Sequence, residues 1–224
     1  MGKSTSKSAL VIVDMTNDFL LKKFNESLAL ESGLELVPRI RKLEDFFIEL
    51  GLPVIYATDR HLKTDFELRK WGPHSMKGTD GSKIVDGLLP QKPKIRTLRR
   101  NWKQTDISKI KNGEQLFEVE KGTYSGFSDN GGRRTAMDAL LKKIALKPGD
   151  RLFITGLHSN CCDKHTAADA FFRGFIPVMV PDCVAAFDDP SGIMGLPNDQ
   201  ALIYEKYWYG AGLVNSDEIM TELA

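Results

Sequence analysis

Short runs of apolar residues, each followed by a polar or charged residue, constrain the fold more than any other feature of the sequence. Residues 9–13 (ALVIV) precede Asp14, and residues 53–58 precede Asp59. Similar runs occupy residues 151–155 and 176–180, residues 116–120 (LFEVE) are predicted as a short strand, and residues 94–98 form a weaker candidate. A run without polar alternation is typical of a strand that is buried on both faces, as in a parallel sheet.

Segments with helical spacing of apolar residues lie between these strands. They are residues 33–50, which end at Gly51, residues 133–146, an alanine-rich stretch after Gly156, and a last helix around residues 199–207. Residues 17–19 are predicted as a loop. Alternating strands and helices predict an α/β fold, a three-layer α/β/α arrangement with a mostly parallel, doubly wound sheet. We find no repeat or linker composition, so residues 1–224 are predicted to form one domain.

Composition narrows the class of protein. The 224 residues carry a net charge of +1, and the hydrophobic and charged fractions of 42% and 27% are ordinary. This balance gives no general attraction to nucleic acid or to a membrane, and no apolar run reaches the roughly 18 residues of a spanning helix. The first residues lack the apolar core of a secretion signal. Three cysteines, an odd number, then favour a reduced, cytoplasmic compartment.

Chemically active side chains follow several of the predicted strands. Asp14 follows the first strand, Lys121 follows residues 116–120, and Cys161 and Cys162 lie where a strand meets the alanine-rich helix. The carboxyl ends of parallel strands share one crevice, so these groups are predicted to meet there. Each is unremarkable alone, but a carboxylate, an ammonium and a thiol together suit covalent attack on a carbonyl.

The helix N-terminus is expected to lower the pKa of a thiol at this junction. Consecutive helical residues point about 100° apart. Only one of the two cysteines is therefore expected to serve the site, and the other is expected to pack under the helix.

A metal site is a second prediction. Asp59 and His61 are two residues apart on extended chain, and His74 and Glu67 can complete a set of nitrogen and oxygen ligands. Zinc, iron or manganese fits such a set, and copper remains open by residue type. A rival set, spaced along one helix face, consists of His158, Cys162 and His165, although Gly156 argues that the helix begins after the first of these.

A basic segment, residues 92–115, has eight lysines and arginines against two acidic residues. An anionic partner would explain it, but few aromatic residues are interspersed, so a solvated face or a subunit contact is the preferred interpretation.

Three motifs in the chain resemble the cysteine hydrolase superfamily that contains nicotinamidases, isochorismatases and N-carbamoylsarcosine amidases. The resemblance runs from about residue 9 to about residue 184. Residues 11–19 (VIVDMTNDF) resemble the segment with the catalytic aspartate, and residues 120–127 (EKGTYSGF) resemble the segment with the catalytic lysine. Residues 156–162 (GLHSNCC), followed by TAADA at 166–170, resemble the nucleophile motif.

The resemblance implies roles for individual residues. It makes Asp14, Lys121 and Cys162 the catalytic group, and it places a cis peptide at Leu157 and His158, where backbone N–H groups help to form an oxyanion hole. It assigns the metal ligands to Asp59, His61, Glu67 and His74, and it places Phe19 and Trp71 beside the ring of the substrate. Homo-oligomers are common in the superfamily.

These roles favour an amidohydrolase that converts nicotinamide to nicotinate and ammonia with the help of a divalent metal. A carbamoyl or ureido amidase, or an isochorismatase, is the alternative within the enzyme class. The alternative outside that class is a catalytically silent member that serves as an interaction module.

Overall fold

The computed structural model describes residues 7–89, 93–187 and 195–224. Lys92, which begins the basic segment, and residues 1–6 lie outside the described residues. The described strands are β1 (Ser8–Val13), β2 (Val54–Asp59), β3 (Arg96–Leu98), β4 (Leu116–Lys121), β5 (Ser128–Asp129), β6 (Arg133–Arg134), β7 (Arg151–Leu157), β8 (Ile176–Ala185) and β9 (Gly212–Leu213). Their α-helical counterparts are α1 (Asn17–Leu20), α2 (Val37–Glu49), α3 (Leu68–Trp71), α4 (Gln104–Ser108), α5 (Met137–Lys143), α6 (Cys162–Phe172), α7 (Asn198–Tyr209) and α8 (Ser216–Leu223).

Seven strands form the central sheet in the order β3-β4-β2-β1-β7-β8-β9, and every neighbouring pair is parallel. The chain runs outward from β1 in both directions, first through β2 and later through β7, which is the doubly wound arrangement. The prediction of a parallel α/β sheet is therefore confirmed. Strands β5 and β6 form a separate antiparallel hairpin.

Two hydrophobic cores, one on each face of the sheet, give the three layers. Along β1, Leu10 and Ile12 belong to the core that also contains residues of α2 and α8, whereas Val11 and Val13 belong to the core packed against α4 to α7. Successive strand residues point to opposite faces, so a strand with a helix layer on each side must be apolar at every position. This requirement explains the uninterrupted apolar runs.

Gly156 allows two neighbouring strands of the sheet to approach each other closely. It lies within β7, with φ 118°, and a Cβ atom there would lie 2.0 Å from the carbonyl oxygen of Val13 on β1. Glycine therefore permits β1 and β7 to approach each other just before both strands end.

Several predicted boundaries are wrong. The helix expected over 133–146 is shorter, because residues 133–134 pair with β5 through a turn in which Gly131 and Gly132 have positive φ. Residues 17–19 belong to the one-turn helix α1 rather than to a loop. The strand predicted at 176–180 continues to Ala185, and β9 and α8 follow the helix that was predicted to be the last.

The strand order determines where the polar residues meet. Strands β4, β2, β1 and β7 are consecutive neighbours, and their carboxyl ends carry Lys121, Asp59, Asp14 and the turn into α6. The four predicted segments therefore share one edge of the sheet. No helix of the described ranges combines the length and the apolar character that membrane crossing requires.

Candidate active site

A buried charge cluster links the ends of three strands. The ammonium of Lys121 donates to Asp14 Oδ2 at 2.6 Å, to Asp59 Oδ1 at 2.7 Å and to the carbonyl oxygen of Thr123 at 3.1 Å. Asp14 Oδ1 accepts a hydrogen bond from the backbone N–H of Asp59 at 2.8 Å. All three charged side chains are inaccessible to solvent. A lysine has three N–H donors, so this ammonium is fully hydrogen-bonded.

The charged groups of this cluster shift one another's pKa values by different amounts and in different directions. Burial, reinforced by Asp59, raises the pKa of Asp14 to about 7, although Lys121 opposes the shift. Burial also disfavours ionised Asp59, but Lys121 and His61 outweigh it and lower the pKa of Asp59. In the same way the two carboxylates outweigh burial and keep the pKa of Lys121 well above its usual value. Asp14 can therefore exchange a proton near neutral pH while its neighbours stay charged.

The two cysteines lie at the start of α6, as predicted. Their pKa values are shifted in opposite directions, which the sequence did not lead us to expect. A hydrogen bond with Cys161, reinforced by burial, raises the pKa of the Cys162 thiol well above its usual value, against the effect of Lys121. The same hydrogen bond, assisted by His165, lowers the pKa of Cys161 to about 6. The expected lowering of a thiol pKa is thus found at Cys161 and is wrong for Cys162. Cys161 packs against the hydrophobic core, as expected for one of the two cysteines, and it also lines the cavity described below.

The backbone before α6 supplies free donors. The peptide bond between Leu157 and His158 is cis, which agrees with the resemblance. Within the described chain, the backbone N–H groups of His158 and Cys162 donate to no carbonyl and no side chain. Unpaired N–H groups beside a thiol can hold a negatively charged oxygen.

The four predicted metal ligands converge. One donor atom from each of Asp59, His61, Glu67 and His74 lies within 4.8 Å of the others, and all four residues are buried. Three buried atoms of the group have no hydrogen-bond partner among residues 7–89, 93–187 and 195–224, namely Asp59 Oδ2, His61 Nε2 and Glu67 Oε2. Buried polar atoms are rarely left unpaired, so this donor set fits a divalent cation. Asp59 outweighs the effect of burial and raises the pKa of His61 to about 9, so a cation that binds this group would replace a proton.

The groups that orient the imidazole rings of His61 and His74 were not predicted from the sequence. His61 Nδ1 lies 3.0 Å from Asp65 Oδ2, and His74 Nδ1 lies 2.9 Å from the carbonyl oxygen of Gly72. Each ring therefore turns its Nε2 toward the other ligands, as is common for histidines that bind metals. The spacing of four residues between His61 and Asp65 is the sequence feature that could have indicated this contact.

Arg100 is the residue that fixes Asp65, and it corrects our interpretation of the basic segment. Its guanidinium binds Asp65 and Asp129 and is nearly buried. A bidentate guanidinium holds a carboxylate in one orientation, so Arg100 supports the position of His61. Other basic residues of the segment are exposed, namely Lys94, Arg99, Lys103, Lys109 and Lys111, which agrees with a solvated face for them.

One cavity of about 130 Å³ adjoins both the metal-ligand group and the thiols. Phe19, Trp71 and Tyr124 form aromatic walls, and the Trp71 indole N–H donates to the Tyr124 hydroxyl at 2.9 Å. This places the two predicted aromatic residues, Phe19 and Trp71, at the cavity. A volume of this size is close to the roughly 150 Å³ cavity that accommodates one benzene ring.

His158 forms another wall of this cavity. Its ring stacks on Phe187 at 4.5 Å between centroids and meets Phe19 edge-on at 5.7 Å. Burial, with a further contribution from Lys121, lowers the pKa of His158 to about 4, so the ring is neutral near pH 7. The rival metal set of His158, Cys162 and His165 does not form a ligand group among the described residues.

Comparisons with known proteins agree with this geometry. Residues 8–111 and 102–194 match the Isochorismatase domain. An uncharacterized isochorismatase family protein, PncA of Bacillus subtilis, is 30% identical over 185 residues, which cover 81% of this chain and 88% of that protein. The structure of N-carbamoylsarcosine amidase from Thermoplasma acidophilum aligns with a TM-score of 0.71 and 34% identity, over 95% of this chain and 98% of the other.

The structure of nicotinamidase PncA from B. subtilis aligns with a TM-score of 0.67 and 27% identity, over 93% of this chain and 99% of the other. The domain match covers most of the chain, and these relatives align over nearly their whole length. The chain therefore belongs to the isochorismatase family of hydrolases.

Proposed function

We propose that the protein is a cysteine amidohydrolase that converts nicotinamide to nicotinate and ammonia. One observation carries the proposal: the metal-ligand group and Cys162 border the same small, aromatic-walled cavity. A pyridine carboxamide has a ring nitrogen that suits a metal and an amide carbon that suits a thiolate. A cavity of about 130 Å³ admits one such ring and disfavours a much larger substrate.

The proposed nucleophile is Cys162 and the proposed base is Asp14. Asp14, with its pKa near 7, takes the proton of the Cys162 thiol as the sulfur attacks the amide carbon. The resulting oxyanion is held by the N–H groups of His158 and Cys162, a contribution of roughly 3 kcal/mol for each donor. Asp14 then gives its proton to the amide nitrogen, the C–N bond breaks and ammonia leaves. Water then attacks the acyl thioester and gives a proton to Asp14, the C–S bond breaks, and that proton returns to the sulfur of Cys162 as the product acid forms.

Lys121 acts as a fixed countercharge in this scheme. Its three hydrogen bonds are all made within the protein, so it acts on the substrate through Asp14. Its positive charge keeps Asp14 ionisable near neutral pH although the carboxylate is buried. Without it, burial and Asp59 would favour a permanently protonated Asp14, which could accept no proton.

The proposed metal ligands are Asp59, His61, Glu67 and His74. Their unpaired atoms and their mixture of nitrogen and oxygen donors fit zinc, iron or manganese. A divalent cation at this position would supply a Lewis acid that binds a ring nitrogen. The aromatic residues Phe19 and Trp71 would then hold the plane of the ring beside the thiol.

The test of the nucleophile uses two neighbouring variants. We expect Cys162→Ala to abolish ammonia release from nicotinamide, with kcat/KM lowered by a factor of roughly 10⁴ or more. Cys161→Ala is the matched control and is expected to stay within about tenfold of the wild type, because that thiol lines the cavity and hydrogen-bonds to the nucleophile but forms no bond to the substrate in this scheme. If the Cys161→Ala protein were inactive and the Cys162→Ala protein active, the roles of the two cysteines would have to be exchanged.

A carbamoyl amidase is the second candidate, because the N-carbamoylsarcosine amidase structure shows a higher identity, 34%, than the nicotinamidase structure. Ammonia release from nicotinamide and from N-carbamoylsarcosine, measured on metal-loaded and chelator-treated protein, separates the two. Nicotinamide hydrolysis that disappears with the chelator and returns with the metal supports our proposal. Hydrolysis of the carbamoyl compound alone, unaffected by the chelator, contradicts it.

A further inference from the structure

Cys161 and Cys162 are consecutive free thiols that border the same cavity. Consecutive residues inside a helix point about 100° apart, which would separate two such sulfur atoms. Cys161, however, precedes the first turn of α6, and its φ of −137° and ψ of −92° are not helical. The two side chains therefore escape the helical divergence, and they share the hydrogen bond described above.

The two thiols differ in accessibility and in charge. Cys162 is 4% exposed, whereas Cys161 is half-buried and begins an 11-residue helix, whose N-terminal N–H groups favour a negative charge. The Nδ1 atom of His165 lies 2.7 Å from the carbonyl oxygen of Cys161, which keeps the imidazole beside that residue. The hydrogen bond from the Cys162 thiol, assisted by His165, lowers the pKa of Cys161 to about 6. An oxidant that enters the cavity therefore meets a thiolate at Cys161 first.

We propose that Cys161 and Cys162 form a reversible redox pair that reacts with hydrogen peroxide. The Cys161 thiolate attacks one peroxide oxygen, so that an S–O bond forms, the O–O bond breaks and hydroxide leaves. The Cys162 sulfur then attacks the sulfur of the resulting sulfenic acid. An S–S bond forms, the S–O bond breaks, and the thiol proton leaves with the oxygen as water. The two cysteines together lose two electrons, and the peroxide accepts them.

The bridge is expected to be reduced easily because its two residues are adjacent. The Cα atoms of consecutive residues lie about 3.8 Å apart, whereas those of ordinary disulfides lie about 4.4–6.8 Å apart. A bridge across so short a span is strained, and strained bridges are the ones that free thiols reduce readily. While the bridge lasts, the Cys162 sulfur cannot attack a substrate, and it is also protected from irreversible oxidation to a sulfinic acid.

Cys183, the third cysteine, does not compete for this bond. It is fully buried in the core that contains residues of α2, whereas Cys162 belongs to the core on the opposite face of the sheet. Burial also raises the pKa of the Cys183 thiol to about 12, which makes this residue a poor nucleophile. Cys183 therefore serves as an internal control for thiol oxidation.

The experiment treats the purified chain with hydrogen peroxide, counts its thiols after denaturation and measures its intact mass. The wild type is expected to fall from three thiols to one and to lose the mass of two hydrogen atoms. Cys161→Ala leaves Cys162 without a partner, so this protein is expected to lose one thiol and to gain oxygen. Cys183→Ala is the matched control and should lose the same two thiols as the wild type. Dithiothreitol should restore both thiols of the wild type after an exposure that leaves Cys161→Ala irreversibly oxidised.

The effect of the bridge on ammonia release rests on the function proposed above, whereas the formation of the bridge does not. A wild type that forms the bridge but never hydrolyses nicotinamide supports the redox pair and argues only against the proposed substrate. A wild type that gains oxygen at Cys162, or that forms bridges between chains, overturns the inference. Recovery of Cys161→Ala from peroxide as completely as the wild type also overturns it, because Cys161 would then protect nothing.

Discussion

Glu205 offers a quantitative test of how the fold tolerates a buried acid. Its side chain is fully buried on the inner face of α7, and no group of the described residues forms a hydrogen bond with either carboxyl oxygen. Burial raises the pKa of Glu205 from 4.5 to about 8, although Lys164 opposes the shift. The folded protein therefore keeps a proton on this residue that the unfolded chain releases. We expect Glu205→Gln, which imitates the protonated acid, to stabilise the protein at neutral and alkaline pH.

The magnitude follows from linkage. Between pH 4.5 and about 8 the unfolded chain binds fewer protons at Glu205 than the folded chain, so the free energy of unfolding falls as pH rises. Each pH unit in this window costs about 1.4 kcal/mol. The gain from Glu205→Gln is then near zero at pH 4.5, about 2 kcal/mol at pH 6 and at most on the order of 5 kcal/mol at pH 8.

Urea unfolding at several pH values, at one protein concentration, measures this gain. Glu49→Gln is the matched control, since Glu49 is exposed on α2, and its pH dependence should match that of the wild type. A Glu205→Gln protein that is less stable at every pH would contradict the reasoning. So would a difference that stays constant with pH, because either result would mean that the folded protein holds Glu205 as an anion.

The remaining predictions concern residues that support the site. Lys121→Met leaves two buried carboxylates without a countercharge, and we expect it to lower the free energy of unfolding by about 3–5 kcal/mol and to abolish ammonia release, as urea unfolding and an activity assay would show. Arg100→Lys removes the bidentate contact with Asp65 and is expected to weaken metal affinity roughly 10- to 100-fold in a competition titration with a chelator, whereas the exposed Arg99→Lys is not. Thr166→Val removes hydrogen bonds to Gly126 and Cys162, so thermal unfolding should report a loss of about 1–3 kcal/mol.

Much of the fold follows from residues whose neighbours along the chain determine their environment. The run at residues 9–13 predicts β1 and the two helix layers, because a strand without polar alternation needs cover on both faces. The positions of Asp14 and Lys121 just after, or at the end of, parallel strands also predict that they meet. These inferences require only the direction and order of the strands.

Other features depend on contacts between distant segments. Arg100 appears in the sequence as one of many surface cations, and only the fold shows that it lies between Asp65 and Asp129. The thiol pKa values depend on a hydrogen bond between two side chains, Cys161 and Cys162, whose geometry the sequence does not contain. The hairpin at residues 128–134 replaced a predicted helix turn because its glycines adopt positive φ, a preference that helical spacing alone does not reveal.

All three N–H donors of the Lys121 ammonium are hydrogen-bonded within the protein, and this limits how the site can be redesigned. Its three bonds tie together the ends of β1 and β2 and the segment after β4. Changes to this group alter reactivity and architecture at the same time. Variation of substrate choice is better sought in a side chain that only borders the cavity, such as Phe187, where a replacement reshapes the space without disturbing these strand ends.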